Sequence, residues 1–375
     1  MGQTRRSNIH SVLIFLTTFL LTSGYHNTLL AQEKYSNEFL KIGVGARSLG
    51  MANSVIASTH DVHAGYWNPA NLTRIENKFQ VGFMHASYFA NIANYDYGSV
   101  AVPTDNGVIG VSIIRFGIDD IQNTINLVDQ NGNFNYANIS LFSTVDYGFL
   151  VSYARKIGPE GMSIGGNAKI VYRQLGDFAQ AYGFGLDAAI SYEKKYWKFA
   201  GVVRDITTTV NAWSYTLDEN TKEVFEQTGN EIPTNTTELT LPTAVVGTAR
   251  DIPIKDLFVV TPELNFEMTF GGMRPTLVSS EGINVDPRLG LEVSYNNFIF
   301  LRGGVGQVQR EPKPFEDGHN YLIQSNFGLG IMLSNLFGLG NVAIDYALTN
   351  IGETDGQLYS NVFSVRMDFN GTKPN

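Results

Sequence analysis

The sequence predicts an all-β fold: an antiparallel transmembrane β-barrel of about fourteen strands, with a short N-terminal plug or hatch inside the barrel. Three observations carry this. Apolar and polar residues alternate with period two over segments of about 10 to 14 residues, the length of a tilted strand crossing a bilayer. Only 16% of residues are charged, against ~25% in an ordinary soluble domain. Short turns and longer polar loops alternate for most of the chain, as in barrels with short periplasmic turns and long external loops.

The elements follow in chain order. Arg5 and Arg6 precede the apolar run Val12 to Leu21, and Leu29-Leu-Ala-Gln32 offers a small-residue cleavage site. Charged start, short apolar middle and small residue near the exit describe a secretory signal peptide, assigned to residues 1–32. The apolar run is shorter than the ~20 residues of a membrane-spanning helix. Residues 33–77 are assigned to the plug, 78–370 to the barrel and 371–375 to a short tail. The expected location is the outer membrane of a Gram-negative bacterium, with membrane lipid as the barrel's surroundings.

Strand-like segments run at roughly 78–90, 94–103, 107–118, 142–156, 162–174, 180–193, 196–206, 241–250, 256–270, 286–296, 298–308, 320–333, 341–350 and 358–370. In one of them Tyr182, Phe184, Leu186, Ala188, Ile190 and Tyr192 alternate with Gly183, Gly185, Asp187, Ala189 and Ser191. The greasy face, with a Tyr at each end, suits lipid; the small and polar face suits a lumen. The same rule turns Lys169, Arg173, Asp187, Glu263, Glu267, Arg288 and Glu292 inward. In the last segment Phe363, Val365, Met367 and Phe369 alternate with Ser364, Arg366 and Asp368, as expected of a closing strand that ends on an aromatic. A β-sandwich or propeller is the alternative, but no 40-residue repeat supports a propeller.

The chemical motifs are weak. There is no Cys, which excludes disulfides and thiolate sites, and the net charge of -9 without a basic cluster argues against nucleic acid. Gly45-Ala-Arg-Ser-Leu-Gly50 has P-loop glycine spacing, but Met51 and Ala52 stand where Lys and Ser/Thr are required. His60 and His63 flank Asp61 without an evident third ligand for zinc. Glu263 and Glu267 lie ~13 Å apart along a strand, beyond the ~5–9.5 Å of paired carboxylates in glycoside hydrolysis; the lumen cations Arg288, Lys169, Arg173 or Arg47 are the expected partners. His85 shares a face with Val81 and Phe83, and no nucleophile is marked beside it. No cofactor and no enzymatic activity are expected.

The longest connection, Thr207 to Thr240, holds Trp213, Tyr215 and Phe225 among Thr and acidic residues. Exposed, these aromatics form a protein-contact site; folded back, they cover the barrel mouth. In the stretch GYWNPANL, Pro69 fixes φ and biases Asn68 away from helix, defining a corner where the chain leaves the lumen for the first strand. Tyr66 and Trp67 are expected to wedge the plug against the wall with their polar tips meeting partners in the lumen.

Phe39-Leu-Lys-Ile-Gly-Val-Gly-Ala-Arg47-Ser-Leu-Gly-Met51, followed by Tyr66-Trp-Asn-Pro-Ala70, resembles the opening signature of the PorV/PorQ family, outer-membrane barrels of the FadL superfamily associated with type IX secretion. The resemblance is sharp over residues 38–72 and extends over the mature chain in architecture. It implies binding of cargo C-terminal signal domains, or contact with translocon or attachment-complex proteins. The more distant FadL relatives imply the alternative: uptake of long-chain fatty acids or other hydrophobic ligands through the lumen. Ala52, Asn53 and Asn71 stand where typical members carry glycine.

Overall fold

The structure, a computed structural model, describes residues 36–369 except 90, 129–131, 314–317, 337, 339 and 351–358. The expected signal peptide, residues 1–32, and the tail, 371–375, lie outside the described residues.

Seventeen strand segments are seen among the described residues: β1 (Phe79–Tyr88), β2 (Ala93–Thr104), β3 (Gly107–Asn123), β4 (Ser140–Lys156), β5 (Met162–Leu175), β6 (Ala179–Lys194), β7 (Trp197–Arg204), β8 (Thr209–Tyr215), β9 (Thr236–Thr240), β10 (Thr243–Arg250), β11 (Ile252–Ile254), β12 (Phe258–Phe270), β13 (Ile283–Tyr295), β14 (Ile299–Pro312), β15 (His319–Leu336), β16 (Gly340–Asn350) and β17 (Tyr359–Phe369). All pairings are antiparallel, and β1 pairs with both β2 and β17, so the sheet closes on itself. β6 carries β7 along one half of its length and β8 along the other, so β7 and β8 are one interrupted stave. β9, β10 and β11 likewise make up the next one. The result is a closed barrel of fourteen staves without a free edge, the only form in which a sheet satisfies its backbone in lipid.

Alternation sets the two faces. Tyr182, Phe184 and Ile190 on β6 point outward and are exposed, whereas Asp187, Ala189 and Ser191 are buried inside. On β17, Phe363, Val365, Met367 and Phe369 share the outward face; Phe79 pairs with Phe369 across the closing seam, and their rings stack at 4.3 Å. Both ends of the barrel sheet and most short turns lie at one end. The longer connections, including residues 124–139, 216–235 and 271–282, lie at the other.

The expected loop from Thr207 to Thr240 is a different object. Thr209–Tyr215 and Thr236–Thr240 are strands, and Glu219–Gln227 is a helix capped by Asp218, whose carboxylate accepts from the Thr221 backbone N–H at 2.6 Å. Arg204 and Thr209 both face inward although five positions apart, so a bulge flips the alternation between them. Asp205 and Thr208 adopt left-handed φ of 54° and 59° there. A period-two pattern that changes phase in a Thr-rich stretch reads as loop in the sequence.

Candidate functional site

The lumen is filled by the chain's own start. Residues Ser36 to Arg74 fold into short helical turns, Glu38–Lys41, Ala46–Gly50, Ala64–Trp67 and Pro69–Arg74, almost all of them buried. The glycines of this segment are sites of close approach. Gly43 has φ of +105°, and a Cβ there would lie 3.0 Å from the Trp67 ring; at Gly45, with φ of +82°, a Cβ would lie 2.9 Å from His63. The P-loop-like glycines therefore pack a helix rather than cradle phosphate. Ala52 and Asn53 hold φ of 52° and 62°, the conformation that glycine adopts without cost.

Trp67 Nε1 donates to the Val44 carbonyl at 2.8 Å, and the Tyr66 hydroxyl to the Leu40 carbonyl at 2.6 Å. These polar tips bind the plug's own backbone inside the lumen, not the barrel wall. The wall's contribution is the Arg204 guanidinium, which lies over both rings at 5.2 and 5.5 Å. Burial pushes the Tyr66 phenol up to about 12, so it stays a donor at any physiological pH. Asn68 is fully buried: its Oδ1 accepts from Ala70 N at 3.1 Å, capping the turn that Pro69 opens, while its Nδ2 donates to the Ile56 carbonyl and to Ser191 Oγ.

Buried charged groups join the plug to one side of the barrel. Arg47 donates twice to Glu292, at 2.9 and 3.0 Å, and Glu292 also accepts from Arg302, which in turn donates to Asp345. Burial opposes the charge on Arg47, but Glu292 outweighs it and raises the guanidinium's pKa. Asp61 accepts from Arg366 Nη1 at 2.9 Å and from the His63 backbone N–H. Burial opposes ionisation of Asp61, yet His63 and then Arg366 hold the carboxyl well below its usual range. His60 and His63 do not converge with other ligands; among the described residues no group of three His, Cys, Asp or Glu is placed to hold a metal.

The other inward charges have distinct partners. Glu267 pairs with Arg288 at 2.9 Å, as expected. Glu263 accepts from the backbone N–H groups of Ala57 and Ser58, so its two oxygens hold a turn of the plug. Lys169 pairs with Asp187 and Asp205, and Arg173 with Asp146 and Glu238, all within the wall. Gly183 and Gly185 do not leave room in the lumen, because Asn211 and Thr209 of β8 occupy the space beside them. Trp213 and Tyr215 lie on β8 and stack on each other at 6.2 Å, Arg173 covers the Trp213 ring, and Phe225 is half-buried on the loop helix. The three aromatics are thus not an exposed contact loop. Asp61, Ser191 and Arg366 escaped the sequence reading as plug contacts; Arg366 was marked only by its place on the inward face of the last strand.

A packed apolar cluster and a cleft border the plug. Toward the long-loop end, Phe39 and Leu40 pack against Gly148 and Ile114, and the apolar cluster continues through Tyr88, Tyr95, Phe116 and Ile118. At the short-turn end a cleft of about 950 Å³ opens between His60, Thr73 and Arg74 of the plug and the turns from Lys156 to Ser163 and Ser191 to Lys198.

A closed fourteen-stave barrel with its lumen occupied by the N-terminal segment defines an integral outer-membrane protein of a Gram-negative bacterium. It is similar to the CymD monoaromatic hydrocarbon channel (TM-score 0.52, 12% identity, covering 88% of this chain and 98% of that one). It is similar also to the Ralstonia pickettii toluene transporter TbuX (0.52, 13%, 87% and 98%) and to a Pseudomonas aeruginosa FadL homologue (0.50, 12%, 87% and 98%). No family model and no curated protein sequence matches the chain.

Proposed function

We propose that this protein admits hydrophobic small molecules through the outer membrane, as a non-enzymatic FadL-like transporter. The observation that carries this is the likeness of the whole barrel to channels named for toluene and monoaromatic hydrocarbons, over 98% of their length. The apolar lining of the lumen that meets Phe39 of the plug, at Tyr88, Tyr95 and Phe116, supports it. In this reading residues 1–32 are a signal peptide, the short-turn end faces the periplasm, and cargo leaves through the cleft beside Arg74 once the plug has shifted. Arg74 bridges that cleft, donating to the Ala57 carbonyl and pairing with Glu193.

The resemblance of residues 38–72 to the PorV/PorQ family keeps a type IX secretion role as the second reading. It is the weaker one, because the exposed aromatic loop that was to serve cargo or translocon proteins is instead strand and half-buried helix. The test is uptake of labelled fatty acid and of labelled toluene by cells with and without the gene. Gene-dependent uptake of either supports transport. Equal uptake, with translocon subunits or proteins sharing a C-terminal domain recovered from native membranes, would shift the assignment to secretion.

A further inference from the structure

Two polar groups in the apolar part of the lumen have no use in the fold. The hydroxyls of Tyr88 and Tyr95 are buried and have no hydrogen-bond partner among the described residues, and both side chains are 0% exposed. Buried phenols normally find a partner, and an unpaired one costs about 1–3 kcal/mol. Here two sit on adjacent strands with their rings 6.0 Å apart, and Tyr95 meets Phe116 edge-on at 6.2 Å. Their cross-strand neighbours are small: Tyr88 pairs with Ala93 and Tyr95 with Ala86. A third unpartnered hydroxyl, that of Thr349, lies on β16 of the same stretch of wall.

The chemistry of that stretch is one-sided. Ala347 and Thr349 of β16, Ser360 and Val362 of β17, Ala86 of β1, Ala93 of β2, and Phe116 and Ile118 of β3 face inward there. All are uncharged. The inward charges Asp345, Arg366 and Asp368 of the same strands lie nearer the short-turn end and are engaged with Arg302, Asp61 or one another. A carboxylate brought to Tyr88 and Tyr95 would lose its hydration at a large cost, and the cations bordering the stretch are already engaged, Arg173 with Asp146 and Glu238 and Arg204 with the rings of Tyr66 and Trp67. A pure hydrocarbon would leave both donors unpaired. A ketone, ester or alcohol oxygen satisfies them.

We propose that Tyr88 and Tyr95 form a ligand subsite for an uncharged hydrophobe that carries a hydrogen-bond-accepting oxygen. This rests on the transport reading and narrows its substrate class to neutral, oxygen-bearing molecules, apart from both hydrocarbons and ionised fatty acids.

The test is binding of decane, decanone and decanoate to the purified full-length barrel and to Tyr88→Phe, Tyr95→Phe and the double variant. The expected result is that the wild type prefers decanone to decane by about tenfold, the yield of two neutral hydrogen bonds. The double variant loses that preference while its affinity for decane is unchanged. Decanone and decane binding alike to the wild type, or decanoate binding best, overturns the subsite and leaves the transport reading standing. Binding of none of the three removes both. Thermal unfolding supplies a second arm: Phe at either position leaves the melting temperature unchanged or higher, because only an unpaired hydroxyl is lost. A fall would mean that the hydroxyls are already held by the protein, which also overturns the proposal.

Discussion

The two walls that grip the plug hold it by different physics. On β12 to β17 neutral bonds, such as Asn326 to the Leu49 carbonyl, are joined by buried ionic or charge-assisted ones: Arg47 to Glu292, Asp61 to Arg366, and Glu263 to two backbone N–H groups. On β5 and β6 the buried contacts are neutral, and the one ion pair to the plug, Arg74 with Glu193, has a half-exposed carboxylate: Asn167 donates to the Gly65 carbonyl, Ser191 bonds both Asn68 and Asn71, and Thr73 meets Ser163. The ionic cluster of that second wall, Lys169 with Asp187 and Asp205, stays within the wall. Breaking one partner of a buried ion pair costs several kcal/mol, whereas a neutral hydrogen bond contributes about 1 kcal/mol. The difference teaches where such a plug would pivot: about the charged wall, opening at the neutral one, beside which the short-turn cleft lies.

Glu292→Ala should have the largest effect, since it strands the buried cation Arg47 and leaves Arg302 with Asp345 alone; a loss of about 3–5 kcal/mol is expected in thermal unfolding of the purified barrel. If Glu292→Ala proves no worse than a neutral-wall variant, the contrast between the walls fails. Next comes Asn68→Ala on the neutral wall. It removes the turn cap and the bonds to Ile56 and Ser191, for an expected loss of about 2–3 kcal/mol and a rise in small-solute conductance in planar bilayers. Unchanged conductance would show that the turn seals nothing.

Gly165→Ala probes shape alone on the same wall. Its Cβ would lie 2.5 Å from the Ala70 backbone nitrogen, and about 1–3 kcal/mol of overpacking is expected, with conductance rising as for Asn68→Ala. Ala52→Gly relieves a left-handed φ of 52° and should raise stability by about 1 kcal/mol without altering conductance.

The smallest effect expected is that of moderate acid on the charged wall. The carboxyl of Asp61 is depressed in the folded state, so its contribution to stability is present above the unfolded value of 3.8 and is lost only as pH falls through the lower folded one. The contact between Asp61 and Arg366 should therefore persist from neutral pH to about pH 4, as the Asp61 carboxylate band in the infrared would read. Protonation of Asp61 already near pH 6 would mean that the Asp61 and Arg366 pair does not secure that corner.

Much of the fold was legible because a barrel strand writes itself locally. Phe363, Val365, Met367 and Phe369 against Ser364, Arg366 and Asp368 state both faces of β17 without reference to any neighbour. The same rule put Glu263, Glu267, Arg288 and Glu292 inside and allowed for Arg288 as the partner of Glu267. It failed where phase was broken: the bulge after Arg204 hid Thr209–Tyr215, so Trp213 and Tyr215 were read as loop.

The sequence alone determined that this chain is a membrane barrel, which residues face lipid, and that GYWNPANL turns a corner, because period-two alternation and the fixed φ of Pro69 are local properties of the chain. Only the tertiary structure decided that Arg47 meets Glu292, that Asp61 meets Arg366 and that Tyr66 and Trp67 bind their own segment. Those partners lie 245, 305, 26 and 23 residues apart, and closure of the barrel, not spacing along the chain, sets which lumen groups a plug side chain can reach.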